Sequence, residues 1–176
     1  MTRDGTNGTL SVAVRDGREA DVPALTDIYN HYVVHHHSSF DTEPTTLEKR
    51  LAWFRKYAAS GPYRLFVAEE AGRVLGCAYS SRYREHPAFD RTIEVSVHLA
   101  SDVRSRGVGT ALYTRLFEAL RGQGLHRAVA GIGLPNDPSV RLHKKFGFSE
   151  VGVFDEYAVK GGKYISSVWL QKDLDA

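Results

Sequence analysis

Apolar positions along this chain repeat with two different periods, and the switches between them mark its elements. Leu25, Ile28, Tyr29 and Tyr32 recur at helical spacing, which predicts a helix capped by Asp21 and running to about His35. Thr45-x-x-Glu48 has the form of a capping box and opens a second helix through Trp53 and Tyr57 to Ala59. Val108, Leu112, Leu116 and Ala119/Leu120 form the inner stripe of a third helix over residues 106–121. Asp137-Pro138, an N-cap followed by proline at the first helical position, starts a fourth helix that Gly147 ends. Strands are predicted over residues 12–15, over a hairpin of 65–70 and 74–79 turning at Gly72, and over 91–99 and 128–134. Two more, over 150–157 and 164–172, flank a Lys160-Gly-Gly turn. Strands alternating with helices imply a mixed α/β sheet covered on both faces.

At 176 residues the chain suits one domain, expected over 10–176 behind a polar, disordered tail at 1–9. Hydrophobic content of 42% and charged content of 25% are ordinary for a soluble globular protein. The formal charge of +2, with no basic run interleaved with aromatics, gives no case for a nucleic-acid partner. No apolar stretch approaches the roughly 18 residues of a membrane span, and the first residues hold no apolar signal core. Cys77 is the one cysteine, so no internal disulfide can form and a cytoplasmic setting is consistent. Its apolar surroundings predict a packed small residue, not a nucleophile. His31 and His35, leading into His36 and His37, have i,i+4 spacing but no acidic or cysteine partner nearby, so no metal is expected.

The chemistry concentrates in the stretch from Glu94 to Thr110. It reads as a strand, a short loop with Arg104 and Arg106, then Gly107 and Gly109 opening the third helix. Free N–H groups of Gly107, Val108, Gly109 and Thr110 at a positive helix end suit a phosphate, and the two arginines add charge where a pyrophosphate would lie. The P-loop pattern fails for want of a Lys-Ser or Lys-Thr pair, and the dinucleotide fingerprint fails for want of a third glycine. Strand alternation puts Ile93, Val95, Val97 and Leu99 on one face and Glu94, Ser96 and His98 on the other. A carboxylate in so apolar a strand is costly unless paired or solvated in a cleft, which makes Glu94 a candidate base, with a salt bridge as the plain alternative.

Arg104-x-x-Gly107-x-Gly109 resembles the acetyl-CoA pyrophosphate loop of GNAT-type N-acetyltransferases, and Asn136-x-x-Ser139…His143-x-x-x-Gly147-Phe148 resembles the second half of the same core. Segments 39–44, 92–94, 133–143 and 160–164 narrow the likeness to the phosphinothricin, methionine sulfoximine and methionine sulfone N-acetyltransferases, over nearly the whole chain. The resemblance implies a mixed, mostly antiparallel central sheet of about seven strands with helices on both faces. It implies acetyl-CoA as donor, a small-molecule amine as acceptor and a homodimer. It makes Glu94 the base of a direct transfer and His143 the acid that protonates the thiolate. Asn136 and Ser139 would meet the pantetheine arm; the backbone of Val97 and Leu99 would pair with that arm, with the Val97 N–H as oxyanion donor.

For the acceptor, Phe40, Thr42, Tyr83, Arg84 and Lys160 are the candidates, Arg84 because a carboxylate wants a bidentate cation. Departures from the family pattern gather there: Arg82 stands before Tyr83 where proline is usual, His86 replaces a basic residue, and Ser166 replaces an aspartate. Other acceptors remain open at this stage, namely a polyamine, an aminoglycoside or a protein N-terminus, as does a non-catalytic acyl-CoA sensor.

Overall fold

The computed structural model describes residues 12–103 and 107–175. The expectations for the tail and for Arg104 and Arg106 fall outside those residues. In chain order come β1 (Ala13–Asp16), α1 (Val22–His35), α2 (Leu47–Phe54), β2 (Leu65–Glu70), β3 (Arg73–Arg82) and β4 (Thr92–Leu99). Then follow α3 (Val108–Leu120), β5 (Arg127–Gly133), α4 (Asp137–Lys145), β6 (Ser149–Lys160) and β7 (Lys163–Asp173). The seven strands form one sheet in the order β1-β2-β3-β4-β5-β7-β6. Only the β4–β5 step is parallel; the others are antiparallel. The fold is the mixed α/β sheet that the alternation of periods implies.

Helix boundaries differ from the sequence expectation, each for a hydrogen-bonding reason. Asp21 stands at the N-cap position of α1, as expected, but its side chain makes no capping bond to the helix. Asp21 closes a short 3-10 turn, where its carboxylate accepts the Arg18 N–H at 2.7 Å and pairs with Arg15 at 2.7 Å. Thr45 does not cap α2, because its N–H and C=O are both held by the Asn30 side chain, at 2.8 and 3.0 Å. Thr46 takes the role and accepts the Lys49 N–H. That helix stops at Phe54, not Ala59: Lys56 and Tyr57 bond three residues back, and the Ala58 N–H crosses to Tyr63 O. In α4 the cap is Asn136, not Asp137, with its side-chain oxygen on the Ser139 N–H.

Each face of the sheet has its own core. Val108, Leu112, Leu116 and Leu120 of α3 pack on Phe66, Ile93, Val95, Ala130 and Ile132. Burying one such leucine is worth roughly 1.5–3 kcal/mol. On the other face Leu25 of α1 meets Leu65, Val67 and Cys77, with Trp53 and Tyr57 around them. Cys77 is the packed small residue expected, and burial pushes its thiol up to about 12. Strand alternation along β4 then fixes the site: Ile93 and Val95 are buried toward α3, so Glu94, Ser96 and His98 face the α1 side. Close passage of β3 beneath β4 depends on Gly76, where an added Cβ would lie 2.4 Å from His98 O.

Candidate active site

Pairing of β4 with β5 ends at Glu94↔Val129. Beyond that point the two strands part and leave a cleft of about 810 Å³. Its walls are residues 95–99 of β4, residues 130–133 of β5, the start of α3, and Asn136, Ser139 and His143 at α4. The Ala100 N–H donates to Leu75 O across β3. Backbone groups alternate in direction along a strand, so those of Val97 and Leu99 point the other way, into the gap. Leu99 O is met there by the Tyr32 hydroxyl at 2.7 Å. The Val97 N–H and C=O thus line the gap as an unpaired strand edge.

The start of α3 opens on the same cleft. Gly107 holds φ of 75°, a left-handed conformation that a side chain would strain. Among the described residues the Ala111 N–H makes the first helical bond, to Gly107 O, and the N–H groups of Val108, Gly109 and Thr110 have no helical partner. Gly109 has a packing reason that its motif did not reveal: a Cβ there would press to 3.1 Å from Leu142 of α4. Lys145 Nζ reaches Thr110 Oγ1 at 3.3 Å, and Arg141, one turn earlier on α4, also lines the cleft. Both cations were missed in the sequence; Asp137, Arg141 and Lys145 at i,i+4 spacing were the available signal. Unpaired N–H groups at a positive helix end beside two cations fit a diphosphate.

Glu94 sits at the point where the strands part, just below the cleft lining. Its side chain is half-buried, and no hydrogen bond or ion pair reaches its carboxylate among the described residues. Burial raises its pKa, with no compensating charge. The salt-bridge alternative therefore finds no partner here. Over Gly131, on the same sheet face, lies the indole of Trp169, and Tyr83 contacts that indole with ring centroids 6.1 Å apart. Trp169 was not singled out in the sequence; its register opposite Gly131 puts its indole on the sheet face that carries Glu94.

The other acceptor candidates spread around that wall. Arg84 is exposed and stacks on the rings of Tyr83 and Phe89. Phe40 and Thr42 are exposed on the loop after α1, with Phe40 edge-on to Tyr157. Lys160 points its ammonium at the carbonyls of His36 and Ser39, at 2.9 and 2.7 Å. Ser166, where the family has an acid, donates to Asp155 and accepts the Glu156 N–H, and so braces a bulge in β6. His31, His35 and His36 stack among themselves and on Tyr32. His37 Nε2 meets Pro135 O.

Of the histidines that line the cleft, His98 and His143 are the ones whose pKa burial lowers. His143 is 2% exposed, with Nδ1 at 2.8 Å from Ser139 O and Nε2 at 2.8 Å from the Tyr113 hydroxyl. Burial lowers its pKa. His98 lies against Tyr29, Tyr32 and Tyr79, and burial, aided by the Arg50 charge, pushes its pKa down to about 4. Arg50 itself is buried, its guanidinium 3.6 Å from the Trp53 ring centroid.

Comparison with known proteins places this geometry. Residues 25–148 match the acetyltransferase (GNAT) family. The chain is 46% identical over 169 residues to a phosphinothricin N-acetyltransferase of Streptomyces coelicolor, covering 95% of this chain and 99% of the relative. It is 35% identical to an L-methionine sulfoximine/L-methionine sulfone acetyltransferase of Pseudomonas paraeruginosa, covering 94% and 96%. Among solved structures, yncA of Salmonella typhimurium, determined with its cofactor acetyl-CoA, superposes with a TM-score of 0.88 at 33% identity, covering 93% and 94%. The chain belongs to the acetyltransferase (GNAT) family and is an acyl-transferring enzyme.

Proposed function

We propose that this enzyme transfers the acetyl group of acetyl-CoA directly to the amino group of a small amino acid analogue of the phosphinothricin, methionine sulfoximine or methionine sulfone type. The observation that carries this reading is Glu94: a half-buried carboxylate without a counter-charge among the described residues, in the last residue pair before β4 and β5 part. Acetyl-CoA supplies an activated thioester carbonyl. The amides of Gly107, Val108, Gly109 and Thr110, with Arg104, Arg106 and Lys145, would hold its diphosphate, and Asn136 and Ser139 would meet the pantetheine arm. The open edge at Val97 and Leu99 would take that arm like an added strand, and the Val97 N–H would donate to the oxyanion.

Only the free amine attacks, so an ammonium must first lose a proton. Glu94 accepts it, directly or through a water, and its raised pKa makes it a better base than an exposed glutamate. His143 is the group we place to return a proton to the departing sulfur, which requires its ring to give up the Ser139 carbonyl or the Tyr113 hydroxyl as a partner. Phe40, Thr42, Tyr83, Arg84 and Lys160 border the acceptor, Arg84 offering its exposed guanidinium to a carboxylate. The names of the relatives support the acceptor class.

A homodimer in the cytoplasm, with no metal, nucleic acid or membrane as partner, completes the reading. The homodimer has its support in the edge strand β6, where Val151, Val153, Phe154, Tyr157 and Val159 stand exposed. A thiol-release assay with acetyl-CoA tests the function against amino acid analogues, polyamines, aminoglycosides and peptides. Turnover concentrated on the analogues is expected. Turnover of polyamines or peptides alone would overturn the acceptor class, and silence with tight coenzyme binding would favour a sensor.

A further inference from the structure

The loop that joins α1 to α2 carries Phe40 and Thr42, and its two ends are fixed independently. At one end His37 Nε2 donates to Pro135 O at 2.8 Å, and the His37 carbonyl packs so tightly on β5 that a Cβ at Gly133 would sit 3.1 Å from it. At the other, the Asn30 side chain bonds both the N–H and the C=O of Thr45. The middle is tied to α1 through Tyr29, whose hydroxyl donates to Asp41 Oδ2 at 2.5 Å and lies 3.4 Å from Ser39 Oγ; Ser39, 6% exposed, accepts the Asp41 N–H at 3.3 Å, and Phe40 touches the Tyr157 ring.

Into that middle comes Lys160, from the far tip of the β6–β7 hairpin. Its Nζ donates to His36 O at 2.9 Å and to Ser39 O at 2.7 Å, across more than a hundred residues of sequence. Two carbonyls three residues apart, both turned to one ammonium, make a small cap that sets the curvature of the loop between them. An ammonium has three donors, and two are spent here.

We propose that Lys160 is a positioning residue, which shapes the acceptor-side loop through the His36 and Ser39 carbonyls and does not serve as the cation that meets the acceptor's carboxylate. This rests on the acceptor reading above. A point charge with two of its three donors on backbone carbonyls is a poorer carboxylate ligand than the Arg84 guanidinium, which makes a single 3.4 Å hydrogen bond, to the Tyr83 hydroxyl, and keeps further N–H donors for a bidentate contact. The consequence is that the hairpin tip governs acceptor recognition from outside the cleft. Among the described residues no hydrogen bond joins Lys160 to the amide cradle at α3 or the strand edge at β4, while the His36–Ser38 segment beside its contacts lines the same cleft.

The test uses Lys160→Met, which removes the donors, and Lys160→Arg, which keeps them, with Lys160→Gln as a substitute should the methionine variant not fold. Hydrogen exchange at the amides of residues 38–42 should quicken in Lys160→Met and stay near the parent in Lys160→Arg; unchanged exchange in both would overturn the proposal. Kinetics are read with methionine sulfone and with its carboxamide, which lacks the carboxylate. Lys160→Met should raise KM about tenfold for both acceptors alike, the scale of a lost charged hydrogen bond, with acetyl-CoA KM unchanged. A penalty confined to the carboxylate-bearing acceptor would show direct contact and end the proposal. If the parent enzyme acetylates neither compound, the acceptor reading fails, while the exchange experiment still decides the role of Lys160.

Discussion

The Tyr113 hydroxyl lies 2.8 Å from Nε2 of His143, inside the seam between α3 and α4. Ser139 O can only accept, so the neutral ring carries its proton on Nδ1, and Tyr113 is the donor at Nε2. The pair thus joins the helix that opens the coenzyme cradle to the helix that closes the other side of the cleft. Tyr113→Phe leaves a buried ring nitrogen without a donor. A loss of roughly 1–3 kcal/mol is expected, measured as a lower urea midpoint at unchanged slope; an unshifted midpoint would deny the pair that weight.

The same ring carries a kinetic prediction. His143→Ala should slow thiol release and alter the pH–rate profile, because the depressed pKa of the imidazolium sets its strength as an acid. An unaltered profile, with only stability lost, would leave His143 as a strut and nothing more.

His98 and His143 make stability depend on pH in a stated direction. Both have folded-state pKa values below the ordinary histidine value, His98 at about 4 against 6.5. Between those values the unfolded chain binds more protons, so stability is whole above pH 6.5 and falls as pH drops toward 4. Equilibrium unfolding at a series of pH values should show this decline, and His98→Phe should flatten part of it. A chain equally stable throughout the window would contradict the burial of neutral imidazoles.

Trp169 rests on a position that tolerates no side chain. A Cβ at Gly131 would lie 3.0 Å from the Trp169 indole, so Gly131→Ala must displace the ring toward Tyr83. Overpacking of this kind costs roughly 1–3 kcal/mol, and here it should also raise acceptor KM severalfold with acetyl-CoA binding intact. Equal damage to both substrates, or to neither, would show that the indole is not part of the acceptor wall.

Much of this was legible in the residues. The inner stripe of α3, the α/β alternation and the two faces of β4 follow from periodicity, since burial selects every second or every third to fourth residue. The helix caps were displaced by competition: Asp21 answers to Arg15 and Arg18, and Thr45 to Asn30, partners that no local pattern reveals. Lys145 and Trp169 reach the site by register and by the crossing of helices, so only the fold brings them there. The part of Lys160 was hidden for the same reason, its carbonyl partners lying far away in sequence.

Glu94→Gln tests the reaction most directly. Glu94 is half-buried without a partner among the described residues, so its charge opposes folding above its unfolded pKa and that opposition lessens as pH falls. Gln keeps the shape and removes the charge. Turnover of methionine sulfone should fall by about 100- to 10,000-fold, the acetyl-CoA dissociation constant should hold, and Tm at neutral pH should stay level or rise. Turnover equal to the parent's, with the same pH–rate profile, would contradict a carboxylate base at the parting of β4 and β5.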